Sequence, residues 1–201
     1  NIDLKAAAFK DGKMLGKVTH KPLYGNLLAG KPFTVNYAMG WTGDIFGEND
    51  VLGADPTTFG LTNGKRGNNA SYTPWSSFAI VEGKDLEFIV NLDKPTEVSK
   101  VIFGSLFNPA MRMLPAGGIA VEVSADGQQY TQIAEKTLKH DCPETGRIAF
   151  TDSIEFEPAQ ATFLKVKIKN GGTLRNGVNF EKNNGPEVIP AELWIDEIEA
   201  Y

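Results

Sequence analysis

Leu193-Trp194-Ile195-Asp196-Glu197-Ile198-Glu199-Ala200-Tyr201 closes the chain and reads as a β-strand that carries two adjacent carboxylates, Asp196 and Glu197, and then stops. Its aliphatic and aromatic side chains suit a pleated, half-buried surface. Working outward, the same kind of run recurs. Leu86, Phe88, Val90 and Leu92 alternate with Glu87, Ile89 and Asn91; Ile119, Val121 and Val123 alternate with Ala120, Glu122 and Ser124; Leu164, Val166 and Ile168 alternate with Lys165, Lys167 and Lys169. A period of two puts one set of side chains on a core face and the other toward solvent. The three lysines therefore read as a solvated strand face and not as a binding patch. No segment of ten or more residues carries a helical period, and 21 Gly and 11 Pro punctuate the short runs. This is the pattern of an all-β sandwich or barrel with antiparallel strands.

Composition narrows the function classes. The chain has 201 residues, 41% hydrophobic and 22% charged, as an ordinary globular domain does. A net charge of −5 argues against a nucleic-acid surface, which needs a basic field to neutralise phosphates. No apolar run approaches the roughly 20 residues of a membrane span. The segment opens on Asn1-Ile2-Asp3 with no basic or hydrophobic leader, so an exported protein would carry its leader upstream. One cysteine, Cys142, and two histidines, His20 and His140, leave little for a Cys/His zinc site.

Residues 1–20 read as a hairpin, 4–9 against 14–19, with Asp11-Gly12 supplying turn residues that tolerate positive φ. A lone hairpin is marginal in water, so it is expected to pack on the main sandwich. Residues 21–60 are a turn-rich connection containing Lys31-Pro32-Phe33-Thr34-Val35-Asn36-Tyr37, read as the first sandwich strand, and residues 61–201 form the body.

Several phrases follow one another in a telling order. Leu61-Thr62-Asn63-Gly64-Lys65-Arg66-Gly67 leads to Thr73-Pro74-Trp75, then come Asn91-Leu92-Asp93-Lys94-Pro95, Val123-Ser124-Ala125-Asp126-Gly127, and finally Asp196-Glu197-Ile198. Together they resemble a factor V/VIII type C (discoidin-like) module. More narrowly, they look like the C-terminal module of bacterial family 20 glycoside hydrolases, the β-N-acetylhexosaminidases or chitobiases. The resemblance implies a galactose-binding-domain-like jelly roll over residues 21–201. Residues 1–20 would then be the last hairpin of a preceding fibronectin-like domain.

The resemblance also implies a structural Ca²⁺ where the first long loop meets the last strand. A hard cation takes six to eight oxygens at about 2.3–2.6 Å. Asn63, Thr73 and Glu197 would give side-chain oxygens, and Leu61 and Ile198 carbonyls. Here Asn63 stands where the family has an aspartate, and the loop from Asn63 to Thr73 is longer.

Sugar recognition on such a fold falls to loops at one end, where a ring packs on a pyranose face and polar side chains bond its hydroxyls. The candidates are Trp75, Phe107, Asn108, Arg112, Arg175, Asn176 and Phe180, on segments read as lying between strands. Trp75 has a second reading as core ahead of a strand, and Arg112, between Met111 and Met113, as a side chain snorkelling over an apolar patch. Trp194 reads as core or inter-domain packing. The late loop holds Glu181-Lys182-Asn183-Asn184-Gly185-Pro186 where the family often has a histidine and glycines.

Catalysis has no support. Paired carboxylates hydrolyse glycosides, but neighbouring strand residues point to opposite faces, so Asp196 and Glu197 are not expected to flank one bond. No G-x-S-x-G and no P-loop occurs. The first reading is a non-catalytic accessory module of a secreted, periplasmic or cell-surface glycoside hydrolase, with weak glycan binding. The alternative is a structural spacer that docks on the catalytic domain of the same chain and binds no sugar. An adhesion-type domain for a protein or membrane surface ranks last, because the candidate loops are rich in Asn, Gly and charge.

Overall fold

The computed structural model describes residues 2–23, 25–36, 61–64, 66, 67, 69, 76–78, 85–175 and 188–201, with backbone alone for 2–6, 19–23, 76–78 and 175. The chain opens with β1 (Ile2–Lys10) and β2 (Lys13–Leu23), an antiparallel pair. Lys10 faces Lys13, so the loop is two residues long, and Asp11 and Gly12 both take positive φ, 49° and 74°. This is the primed turn whose twist matches its flanking strands.

Over residues 7–18 the hairpin does not meet the expectation that it packs on the sandwich. Every described side chain from 7 to 18 is exposed, Phe9, Met14, Leu15 and Val18 included. Phe9 pairs with Met14 and Ala8 with Leu15, so apolar groups fall on both faces of a two-stranded ribbon.

The main sheet holds β3 (Phe33–Val35), β4 (Ser76–Phe78), β5 (Leu86–Phe107), β6 (Gly118–Ser124), β7 (Thr131–Thr137), β8 (Ile148–Lys169) and β11 (Leu193–Ala200). Their order is β4-β11-β5-β8-β6-β7, with β3 also on β5. A separate small pair joins β9 (Thr173–Arg175) to β10 (Val188–Pro190). All strand pairs are antiparallel.

β5 and β8 run 22 residues each, and a straight strand of that length would span about 70 Å. Both turn a corner instead. Pairing breaks between Asn91 and Thr96, where Asp93 takes φ 71° and its N–H donates to Asn91 Oδ1 at 2.8 Å. On one side of the break Leu86, Phe88 and Val90 face Ile168, Val166 and Leu164; on the other Val101 faces Ile154. Both halves contribute to one buried cluster with Ile119, Val121, Leu193, Ile195 and Ile198. Two layers of antiparallel strands thus enclose one core, a β-sandwich of jelly-roll type. A second, smaller apolar cluster of Leu106, Met113 and Trp194, with Ala149 against it, is separate from that core.

The outward lysines are ion-paired, which corrects the picture of a solvated face. Lys165 and Lys167 reach Glu122 at 3.2 and 2.7 Å, and Lys169 pairs with Glu135. Burial works to raise the Glu122 carboxyl, but Lys167 and Lys165 outweigh it and hold it below the ordinary value. Lys165 also lies 4.0 Å over the Tyr130 ring.

Candidate functional site

Two places in the molecule collect polar side chains the sequence singled out, and both belong to β11. The first lies at its centre. Ile195 faces Ser105 and Ile198 faces Phe103, so three steps on β11 oppose two on β5. That is a β-bulge, and it breaks the alternation of side chains. Asp196 and Glu197 therefore do not diverge to opposite faces as neighbours in a regular strand would. Both meet the same loop: Glu197 Oε1 accepts from the Gly64 N–H at 2.9 Å and Asp196 Oδ2 from the Gly67 N–H at 2.7 Å. The Ile198 N–H donates to the Leu61 carbonyl at 2.8 Å. A Cβ on Gly104 would stand 2.2 Å from the Asp196 carboxylate, so any larger residue there would displace it from its present seat.

Arg66 binds this arrangement from above. Its Nη2 is 2.8 Å from Glu199 Oε1 and its Nη1 is 3.6 Å from Asp196 Oδ1, while the Tyr201 hydroxyl donates to Glu199 Oε2 at 2.5 Å. Asp196 is 2% exposed and Glu197 0%. Burial raises both carboxyls, that of Glu197 to about 7, against the opposing pull of the Gly64 N–H. Glu197 Oε2 is buried and has no hydrogen-bond partner among the described residues. Of the expected cation ligands, Asn63 sits in the turn beside Gly64 (φ 76°), which the Gly64 bond brings to Glu197. Thr73 lies outside the described residues. Both carboxylates are closed over by Gly64, Gly67 and Arg66.

Sequence reasoning gave Arg66 and Glu199 no role. The available signal was charge: three carboxylates within four residues of a closing strand call for a cation, and Arg66 stands in the phrase that pairs with that strand.

The second place is the start of β11. Asn108 opens a 3-10 turn, Pro109–Met111, and its carbonyl accepts from the N–H groups of Met111 and Met113, both at 3.0 Å. Arg112 ends the turn with φ 58°, in the left-handed region, and donates its N–H to the Pro109 carbonyl at 3.1 Å. Its Nη2 donates to Glu192 Oε1 at 2.9 Å, and the Trp194 indole N–H donates to Glu192 Oε2 at 2.9 Å. Arg112 is anchored on Glu192 and does more than snorkel over its methionine neighbours.

Asn108 and Arg112 are thus brought together. The backbone of Arg175 ends β9 and faces Val188, four residues ahead of Glu192. Phe107 must be removed from the expected face: it is the last residue of β5, paired with Ile148, and is 2% exposed. A ring enclosed in this way cannot offer its face to a sugar. Trp75, Asn176 and Phe180 lie outside the described residues. Trp194 is buried at 1% exposure, in the smaller cluster with Leu106 and Met113.

No protein-family model and no curated protein matches the sequence. Solved structures do resemble it in fold, carbohydrate-binding modules among them. Chitosan-binding module 1 of a chitosanase/glucanase from Paenibacillus sp. IK-5 is 18% identical, with a TM-score of 0.49 over 89% of this chain and 99% of that one. A family 32 module of Clostridium perfringens in complex with GalNAc-β-1,3-galactose is 15% identical, with a TM-score of 0.47 over 84% and 93%. The family 32 module of Clostridium perfringens NanJ in complex with galactose is 11% identical, with a TM-score of 0.48 over 84% and 90%.

Proposed function

We propose that this chain is a non-catalytic, carbohydrate-binding accessory module of a secreted, periplasmic or cell-surface glycoside hydrolase of the β-N-acetylhexosaminidase kind. The observation that carries the reading is Arg112. It is half-exposed, held by Glu192, and placed beside Asn108 on a tight turn at the end of the sandwich. A polar group fixed before the ligand arrives loses little freedom on binding. Hydroxyls of a pyranose compete with water for such donors, so dissociation constants from millimolar to high micromolar are expected, about −4 to −6 kcal/mol. Tethering to an enzyme makes affinities of this order useful at a polymeric substrate. An NMR titration with galactose, N-acetylglucosamine and N-acetylgalactosamine tests it. Amide shifts confined to residues around 108–113 and 188–194 are the expected result, and no shift at tens of millimolar sugar would sink the reading.

The same reading includes a Ca²⁺ at Glu197. The fit rests on Glu197 Oε2, a buried oxygen without a hydrogen bond, beside the Asn63-Gly64 turn and the Leu61 carbonyl. A hard cation would supply the missing charge there, with Asn63, Thr73 and Glu197 as side-chain ligands. Melting in EDTA and then with added Ca²⁺ checks it; overlaid curves would remove the cation.

A second reading has its own support. Phe9, Met14, Leu15 and Val18 expose apolar surface on the hairpin, which suits docking on a catalytic domain of the same chain. A spacer of this kind would bind no sugar in the titration above.

A further inference from the structure

We infer that Arg112 and Glu192 act as one charge-balanced donor–acceptor pair that admits neutral sugars and discriminates against acidic ones. The inference rests on the carbohydrate-binding reading above and names the ligand class of that site.

Three bonds hold the pair. The Glu192 N–H donates to the Arg112 carbonyl at 2.7 Å, Arg112 Nη2 donates to Glu192 Oε1 at 2.9 Å, and the Trp194 indole N–H donates to Glu192 Oε2 at 2.9 Å. The indole is a fixed donor, because Trp194 is buried with Leu106 and Met113. Glu192 therefore cannot swing away, and Arg112 is anchored to it. The Arg112 side chain is nonetheless 48% exposed, against 19% for Glu192. A guanidinium has five N–H donors, and the Glu192 bond uses one of them.

The backbone adds an independent pointer. Arg112 occupies a left-handed conformation that glycine adopts without cost and other residues adopt at a cost. Glycine would suffice to turn the chain here, yet a long cationic side chain stands in its place.

The chemistry of the pair follows. A sugar hydroxyl both donates and accepts, so two neighbouring hydroxyls can take an Arg112 N–H and give a proton to a Glu192 oxygen. A carboxylate can only accept. Meeting this pair it would gain the attraction of Arg112 but face the charge of Glu192 at nearly the same distance, and the two nearly cancel. An unpaired arginine would favour the acid, through charge-assisted and bidentate bonds.

The test is a ¹H–¹⁵N NMR titration of the full chain with galactose against galacturonate and glucose against glucuronate, following the Arg112 Nε–H and Trp194 Nε1–H signals. The neutral member of the better-bound pair should bind at least several-fold more tightly, with both side-chain signals moving. Glu192→Gln keeps the shape and removes the charge, and should move the acid-to-neutral affinity ratio by about tenfold toward the acid. A uronate that binds the unaltered chain as tightly as its neutral partner overturns the inference while leaving the carbohydrate reading standing. Sugar-dependent shifts elsewhere with the Arg112 and Trp194 signals unmoved do the same, as does an unchanged ratio in Glu192→Gln. No response to any of the four sugars overturns both. Should Glu192→Gln fail to fold, the ratio in the unaltered chain still decides.

Discussion

One strand, β11, carries two acid–arginine clusters that differ in what surrounds them. At its start a single carboxylate, Glu192, meets a single arginine, Arg112, and the pair stays partly in water. At its centre three carboxylates, Asp196, Glu197 and Glu199, share Arg66, and the first two are almost fully buried. The residue types are the same and the chemistry is not. A balanced pair at the surface has little self-energy to compensate and remains available to a ligand. An excess of buried negative charge must be protonated, hydrogen-bonded or matched by a cation, because desolvation of an unpaired carboxylate is costly. The Glu197 carboxyl, raised to about 7 chiefly by burial, is the local record of that excess.

The contrast breaks most directly at Gly104. A Cβ there would lie 2.2–2.5 Å from the Asp196 carboxylate, which could move aside only by giving up its bond from the Gly67 N–H. Gly104→Ala is expected to destabilise by about 2–4 kcal/mol, through overpacking and displacement of a buried acceptor. Urea unfolding measures it, and a midpoint unchanged from the unaltered chain would mean that the two carboxylates are not seated as described.

The pH dependence of stability comes next. Glu197 has a folded value of about 7 against an ordinary 4.5. Its protonated form is favoured in the fold, so its stabilising contribution is complete below about pH 4.5 and is lost as pH rises through about 7. The gap corresponds to at most roughly 3 kcal/mol. In EDTA the melting temperature should therefore fall between pH 5 and pH 8 by several degrees, at about 2–4 °C per kcal/mol for a domain of this size. A cation reverses the sign, since it binds the ionised carboxylate. Added Ca²⁺ should stabilise the fold at pH 8 by about 2.7 kcal/mol at a hundredfold excess over Kd, raising the melting temperature, and have much less effect at pH 5. A melting temperature that rises across this range in EDTA would contradict the burial of Glu197 with one oxygen unbonded.

Arg66→Gln sharpens the comparison with a smaller effect. It removes the bond to Glu199 and the positive charge 3.6 Å from Asp196. Because both arginine and Glu199 keep some exposure, the loss is expected near 1–2 kcal/mol. It should be larger at pH 8 than at pH 5, since more of the carboxylates are then ionised. Equal losses at the two pH values would show that Arg66 serves as packing and not as counter-charge.

How much of this was legible follows the distance over which each feature is decided. The strands over 86–92, 119–123 and 164–168 were readable because period-two alternation is local, and so was the hairpin turn at Asp11-Gly12. That Asn91 to Pro95 is a corner between layers was not, because turn residues mark an interruption without telling where the chain resumes. The partners of Lys165 and Lys167 were hidden for a similar reason: alternation sends them outward, but Glu122 arrives from another strand. Asp196 and Glu197 misled because the bulge that unites them is a property of register against Ser105 and Phe103. Phe107 misled because Phe-Asn-Pro looks like a loop, whereas β5 continues through Phe107 and stops at Asn108. At the loop end Asn108 and Arg112 were named from composition, and their nearness to each other is decided by the short turn between them. Glu192 was not, since only the fold brings a residue 80 positions away to Arg112.

The smallest expected change in stability separates the two clusters most cleanly. Opposite the centre of β11 a glycine of β5, Gly104, stands where a Cβ would meet Asp196; near the start of β11 an arginine occupies a conformation that suits glycine. Arg112→Gly removes a half-exposed ion pair, worth about 0–1 kcal/mol, and relieves a left-handed residue of about 1 kcal/mol of strain. The two effects offset, so the variant should melt within a few degrees of the unaltered chain. Arg112→Ala loses the same ion pair without relief, because alanine meets the same steric penalty at φ 58°, and should lie about 1 kcal/mol below the glycine variant. Thermal melting of the two variants under identical conditions reads that order directly. If alanine proves as stable as glycine, the turn has moved to accommodate it, and the fixed geometry that sets Arg112 against Glu192 would not be intrinsic to the backbone. If the order holds while sugar-dependent shifts vanish from both variants, the side chain at 112 serves recognition and contributes almost nothing to folding, the reverse of Asp196 beside Gly104.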